Sequence, residues 1–447
     1  MNLLSQKGLH DLTNERWNVY GQATYISSWK APFAARYTNA NGSAHSLLPN
    51  GEHSFTASAT LYAGLALWRG AELYWAPEMI SERPLSDLKG LGGAIQNFEL
   101  QKSSTMTPSL YQSRVYARQT FNLGGTDIIK TSDPLQLGTR VKSRRLTVSV
   151  GKFSALDVFD KNTFAGDLRR QFFNMAFLTY AAYDFAADAR GYAWGGVIEY
   201  HHDDWALRVG RFTPPKHPNQ LAIDFRINKY FGDQVELEHV HRIGEQPGAI
   251  RVLGYRNREA MGRFDDALAA FRTDPTKNAS ACKSFSYDSE NANAPDLCWA
   301  RRTNIKMGIG LNVEQQVTPD VGVFFRGMVS DGKTEVYSYT STDRSFAFGA
   351  LAQGTTWRRP RDLLGAACGV GFISAAHGRY LDAGGVDGFI GDGRLRRASE
   401  RVLEVFYSLN VTGPVWVTVD AQQISNPAYN ADRGPVRLLG GRFHAEF

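Results

Sequence analysis

Two groupings in the 447-residue sequence have the residue types that bind metal ions: His239-Val240-His241 and the run His201-His202-Asp203-Asp204. Imidazoles two apart share one strand face and can supply two ligands, but neither grouping implies a third. No metal or other cofactor is expected. The stretch from Gly384-Gly385 to Gly393 lacks the lysine of a phosphate loop, and no set of Ser, His and Asp assembles from the sequence. What remains is a large population of arginines, carboxylates and aromatics that recur at even spacing. Arg114, Arg118, Arg145, Arg208, Arg226 and Arg326 share strand parity with other polar residues of their segments, as do Glu72, Glu78, Glu199, Glu236, Glu238, Glu314, Glu404 and Asp420. Opposed rows of guanidinium and carboxylate offer donors and acceptors to a partly dehydrated polar solute, and Tyr62, Tyr74 and Trp416 add flat apolar faces. Mutual pairing that only keeps a polar interior solvated is the plainer reading of any one of them.

The elements that carry these residues alternate with period two from near the start to the last residue. Trp17, Val19, Gly21, Ala23 and Tyr25 oppose Asn18, Tyr20, Gln22 and Thr24; Phe55, Ala57, Ala59, Leu61, Ala63, Leu65 and Leu67 oppose Ser54, Thr56, Ser58, Thr60 and Tyr62. Runs this long suit a tilted strand that spans a bilayer, which needs about 9–11 residues. Further segments lie at about 110–122, 144–153, 192–202, 204–213, 222–243, 248–259, 302–316, 320–330, 344–353, 363–376, 400–411, 414–424 and 434–447. With the first three this gives about sixteen strands, eighteen being the alternative if hairpins are hidden, and an even number suits a closed antiparallel barrel. Segment 222–243 keeps one parity across Gly232-Asp233 and reads as a single long, kinked strand.

Composition narrows the class. No window approaches the ~20 apolar residues of a spanning helix, whereas barrel strands average out as polar, and the mean hydropathy is −0.33. The net charge of +6 comes from interleaved basic and acidic residues without a basic arm, so no nucleic-acid partner is expected. Connections alternate between short (69–70, 203–204, 244–247, 318–320, 412–413) and long (31–51, 81–109, 154–190, 260–301, 377–399), with 123–143 long for its side. Short periplasmic turns and long external loops are the pattern of bacterial outer-membrane barrels. The chain thus reads as one barrel domain over 1–447, with a periplasmic segment at 1–15. Loop 154–190 carries Phe164, Phe172, Phe173 and Phe177, too aromatic for a solvated loop, and is expected either to fold inward as a constriction or to make a subunit contact or pack against other loops. Loop 260–301 should hold a helix at Arg263–Arg272 and, between Cys282 and Cys298, a disulfide suited to an oxidising compartment, two unpaired cysteines being the alternative, with Cys368 free. No leader opens the chain, which reads as a mature form with an added start Met.

The last strand, with Leu439, Gly441, Phe443, Ala445 and Phe447 on one face, resembles the C-terminal signal read by the barrel-assembly machinery, with Phe443 and Phe447 its carriers. Local stretches then resemble the carbohydrate-selective porin family. They are Ala71-Glu72-Leu73-Tyr74-Trp75-Ala76-Pro77-Glu78, Leu91-Gly92-Gly93, Gly151-Lys152-Phe153, Arg359-Pro360-Arg361-Asp362, the run Asn426 to Val436, and His444-Ala445-Glu446-Phe447. The resemblance spans essentially the whole chain. It implies a sixteen-stranded outer-membrane barrel that admits sugars by diffusion, with membrane lipid and small carbohydrates as partners and either a monomer or a homotrimer as the assembly. A channel for small organic acids is the alternative raised by the arginine rows. A barrel enzyme acting on lipid is a more distant one.

Overall fold

The computed structural model of the chain describes residue 5, residues 7–103, 105–276, 291 and 293–447. Sixteen strands close into one antiparallel barrel, each paired with its sequence neighbours. They are β1 (Trp17–Lys30), β2 (Glu52–Trp68), β3 (Ala71–Arg83), β4 (Ser109–Lys130), β5 (Thr139–Phe153), β6 (Ala193–His202), β7 (Trp205–Phe212) and β8 (Phe231–Ile243). The second half comprises β9 (Gln246–Met261), β10 (Arg302–Thr318), β11 (Val321–Ser330), β12 (Arg344–Gly354), β13 (Arg359–Phe372), β14 (Glu400–Thr412), β15 (Val415–Ser425) and β16 (Val436–Glu446). Closure runs from Gln22 opposite Glu446 to Lys30 opposite Leu438. Beyond that ladder Phe447 exchanges both backbone hydrogen bonds with Gly21, whose bare Cα leaves room for the Phe447 ring.

Alternation fixes which side of each strand faces in. On β2, Ser54, Thr56, Ser58 and Thr60 are buried while Leu61, Leu65 and Leu67 are exposed; on β10, Asn312 and Lys306 are buried while Ile305, Ile309 and Leu311 are exposed. Apolar outside and polar inside inverts a water-soluble protein, and it is the arrangement a lipid-embedded barrel requires. Closure also leaves no unpaired strand edge to lipid. No described helix is long and apolar enough to cross a membrane.

Two sequence expectations change. The segment 222–243 is not one strand: β8 begins at Phe231, because its partner β7 ends at Phe212, opposite Gly232. Upstream there is no ladder to join, and 222–230 turns back on itself, with the amides of Lys229 and Tyr230 bonded to the Arg226 carbonyl. Shared parity across that turn is accidental. The long periplasmic connection 123–143 is mostly ladder, since β4 reaches Lys130 and β5 starts at Thr139, with register shifts at Gly124. The helix expected at Arg263–Arg272 lies at Phe264–Thr273. Cys368 is free on β13, Cys298 sits on a buried turn, and Cys282 lies outside the described residues.

Candidate solute pathway

The interior is organised by the third external loop, L3 (154–192), which folds into the barrel. Its apolar residues form much of the buried core: Phe159, Phe172, Phe177, Tyr180, Tyr183 and Phe185 are all inaccessible to solvent. Phe172 meets the rings of Phe324 on β11 and Phe406 on β14 at 5.7 and 4.9 Å between centroids. Phe164 lies over Gly322, where any side chain would collide with its ring. Aromatic residues that would be costly in a solvated loop are thus explained by burial against inward-facing strand residues.

Polar residues on β8–β16 fasten this loop. Arg326 pairs with Asp160 at 2.9 Å and donates to the carbonyls of Ala165 and Phe177 at 2.6 Å each, and to that of Asp160 at 3.1 Å. Glu404 accepts the amides of Phe173 and Asn174 at 2.6 and 3.0 Å, and Glu236 accepts that of Asp160 at 2.8 Å. Glu314 accepts from Thr163, and Arg442 donates to the carbonyls of Leu168 and Gln171. A buried carboxylate or guanidinium needs such a full set of partners, and an irregular loop has unpaired amides and carbonyls to give. The second loop, L2 (84–108), is held likewise: Glu400 accepts the amides of Gly92, Gly93 and Ala94 within 3.0 Å. A Cβ at Gly92 would strike the Tyr429 ring, which accounts for Leu91-Gly92-Gly93.

On the other side, between L3 and the wall β3–β7, the interior stays open. One cavity of about 230 Å³ is lined by Lys102, Arg114, Lys161, Arg169, Arg190 and Tyr192 among others, with Asp157, Asp160 and Asp167. A second, of about 270 Å³, shares Asp157 and Lys161 with the first and adds Glu72, Arg118, Lys130, Arg145, Glu199 and Arg208. A third, of about 760 Å³, opens toward the turn end beneath β10–β16, with Asp167, Arg170 and Trp416 in its lining. Arg114 grips Asp157 through two 2.7 Å bonds, its guanidinium 5.0 Å from the Tyr192 ring. Arg118 lies 5.0 Å over Tyr74 and 5.5 Å over Tyr116, beside Glu72 at 3.6 Å. Glu78 collects Lys102 at 2.8 Å, Arg169 at 3.4 Å and the Tyr111 hydroxyl, while Arg169 also donates to Tyr62 at 3.0 Å. Arg208 bridges Glu199, Glu236 and Glu238 at 3.0–3.1 Å, and Arg145, from β5, joins the same cavity.

The expected residues therefore separate. Glu72, Arg114, Arg118, Arg145, Glu199 and Arg208 come together around the open cavities, Tyr74 is buried beneath Arg118, and Tyr62 and Glu78 lie just behind Arg169. Arg326, Glu236, Glu314 and Glu404 face inward but are covered by L3, and Asp420, also buried, bonds Gln422. Trp416 lines the turn-end cavity, with the Arg170 guanidinium 5.5 Å from its ring. Arg226 is a correction: it sits on loop L4 (213–230), its side chain 63% exposed and paired with Asp224. Among the described residues no group of three or more potential metal ligands converges. Arg251 and Arg442 share the inward parity of their strands and are buried in the lumen as well. Lys102, Asp157, Lys161, Arg169 and Arg190 lie on loops, where sequence carries no parity to find them.

The model of the carbohydrate-selective porin, OprB family matches residues 44–447. The chain belongs to that family. Among solved structures, the high-pH structure of OprB from Pseudomonas putida aligns with a TM-score of 0.70 over 100% of this chain and 96% of that one, at 15% identity. The outer-membrane channel DcaP of Acinetobacter baumannii aligns with a TM-score of 0.50 at 9% identity, covering 96% and 97% of the two chains. These likenesses show the fold. No curated protein matches the sequence. The porin is a sugar channel of the bacterial outer membrane, with short turns toward the periplasm and long loops outside, and its family and fold are those of a channel rather than an enzyme.

Proposed function

We propose that sugars cross this porin along the β3–β7 wall, between that wall and L3, and that L3 sets the width of the passage. The observation that carries this reading is the pair of cavities that share Asp157 and Lys161, because both are lined by charged side chains of that wall and of L3. A hexose needs several donors and acceptors at once to replace its hydration, and an apolar face against its ring carbons. Arg118 with Glu72 supplies donors and acceptors in one cavity, and Arg114 with Asp157 does so in the other, where Tyr192 adds a ring to the lining. Disulfide pairing of Cys282 with Cys298 and delivery of the chain to the barrel-assembly machinery through Phe443 and Phe447 belong to the same proposal.

Charge favours a second reading. Each of the two cavities has five lysines or arginines against three carboxylates in its lining. In a narrow, partly low-dielectric pore such an imbalance acts strongly on ions. Neutral sugars with a modest preference for anions is the expected behaviour. Reversal potentials under a salt gradient, measured in planar bilayers beside block of the current by an oligosaccharide, test it. Weak anion selectivity with partial sugar block is expected; strong anion selectivity without any sugar effect would reassign the pore to small organic acids.

A further inference from the structure

The lipid-facing surface changes character at the external end of β7–β9. Along β9 the outward positions run Ile250, Val252 and Gly254, and then Arg256 and Arg258. Across the ladder Arg256 lies beside Asp233 and Arg258 beside Phe231, both on β8, while Arg211 on β7 lies on the other side of Asp233. Asp233 holds Arg211 through two bonds of 2.6 and 2.8 Å. The Phe231 ring has Arg211 at 4.0 Å and Arg256 at 5.6 Å. Arg258 donates to the Lys229 carbonyl at 2.7 Å, which fixes L4, with Arg226 and its partner Asp224, against the same rim.

Five cations thus meet two carboxylates on an outward face. Asp224 and Asp233 are spent on Arg226 and Arg211, and Arg256, Arg258 and Lys229 make no ion pair among the described residues. Guanidinium groups on the lipid face are disfavoured at mid-bilayer and tolerated at the interface. The interface is marked here by Trp194 and Phe225, exposed and 6.5 Å apart, on the external side of Gly196, the β6 neighbour of Arg211. None of this touches the solute pathway, which lies inside the wall.

We propose that this patch binds a phosphorylated glycolipid of the outer leaflet. Its phosphate would sit among Arg256, Arg258 and Lys229, and its acyl chains would lie along Ile250 and Val252. Clustered Lys and Arg beside a membrane select anionic headgroups, and the planar guanidinium suits two-point contact with phosphate oxygens. Charge also argues against a second copy of this chain as the occupant. The other exposed outward charges at external strand ends are Arg83, Arg344, Arg401 and Arg437, so another copy brings no acidic wall to meet the patch.

The test is native mass spectrometry of the detergent-purified porin with a bisphosphorylated, hexa-acylated glucosamine disaccharide lipid, and with its dephosphorylated form. Retention of the phosphorylated lipid at least tenfold above the other is expected. An Arg256→Ser/Arg258→Ser variant should lose about tenfold, whereas Arg83→Ser/Arg401→Ser should retain it, and unchanged single-channel conductance would show that both fold. Equal retention of the two lipids, or equal retention by the patch variant and the parent, would overturn the proposal. So would an equal loss in both variants, which would leave only general basicity, or a loss of oligomer mass in the patch variant with lipid retention unchanged.

Discussion

The two sides of this lumen are built from the same residue types and do different work. On β3–β7, Arg114 and Arg118 each pair with one acid, lie over tyrosine rings and border open cavities. On β10–β16, Arg326, Glu314, Glu404 and Arg442 are buried and consumed by the backbone of L3. The lesson is that an inward guanidinium becomes a fastener of the loop or stays at the edge of an open cavity according to whether loop backbone covers it. Where L3 supplies free amides and carbonyls, the charged group is satisfied by them and water is excluded; where it does not, the group pairs with side chains beside a cavity open to water.

The sharpest way to break the comparison is to remove a fastener. Arg326→Ala would leave Asp160 a buried, unpaired carboxylate and strip the carbonyls of Ala165 and Phe177 of their donor. Losing one member of a buried pair costs about 3–5 kcal/mol. The expected result is a lower unfolding temperature together with larger, noisier single-channel currents as L3 leaves its seat. Wild-type conductance with intact stability would mean that Arg326 is not needed to hold L3 in its seat.

Much of this architecture was legible in the sequence. Period-two alternation needs no tertiary information, so the strand number, the inward placement of Glu72, Arg118 or Arg208, and the closing role of the last strand followed directly. Alternation failed at 222–230 because parity survives a turn by chance, and it placed Arg226 inside when it lies on L4. The division between fastener and contact was invisible for a deeper reason. It depends on where a 39-residue loop lies, residues 154–192, and loops have no period. Only the excess of phenylalanine at 164–177 hinted that L3 turns inward, and it did not say toward which wall.

The external cap offers a smaller effect that should leave both walls alone. His377, on the helix Ala375–Asp382, is buried with Asp343 at 3.0 Å, Asp387 at 3.1 Å and the Phe264 ring stacked at 4.2 Å. Burial opposes its charge, but the two aspartates more than offset that and hold the imidazolium up to about 9. A folded-state value above the unfolded one of about 6.5 means that the contribution is complete below about pH 6.5 and is lost as pH rises through about 9. Protection from hydrogen exchange in the cap helices, relative to the intrinsic rate at each pH, should therefore fall between these values, and His377→Gln should flatten the dependence. Protection in L3 should not follow; a parallel fall in L3 would show that cap and constriction are one unit.

The comparison is tested most directly by sugar block of single-channel current in Arg118→Ala. Arg118 stacks on two tyrosines at the open wall and anchors no part of L3. The account predicts that block by an oligosaccharide weakens severalfold while ionic conductance and unfolding temperature stay near those of the parent. Undiminished block in Arg118→Ala, with block lost instead in Trp416→Ala on the opposite side, would contradict it and move the sugar pathway to β10–β16.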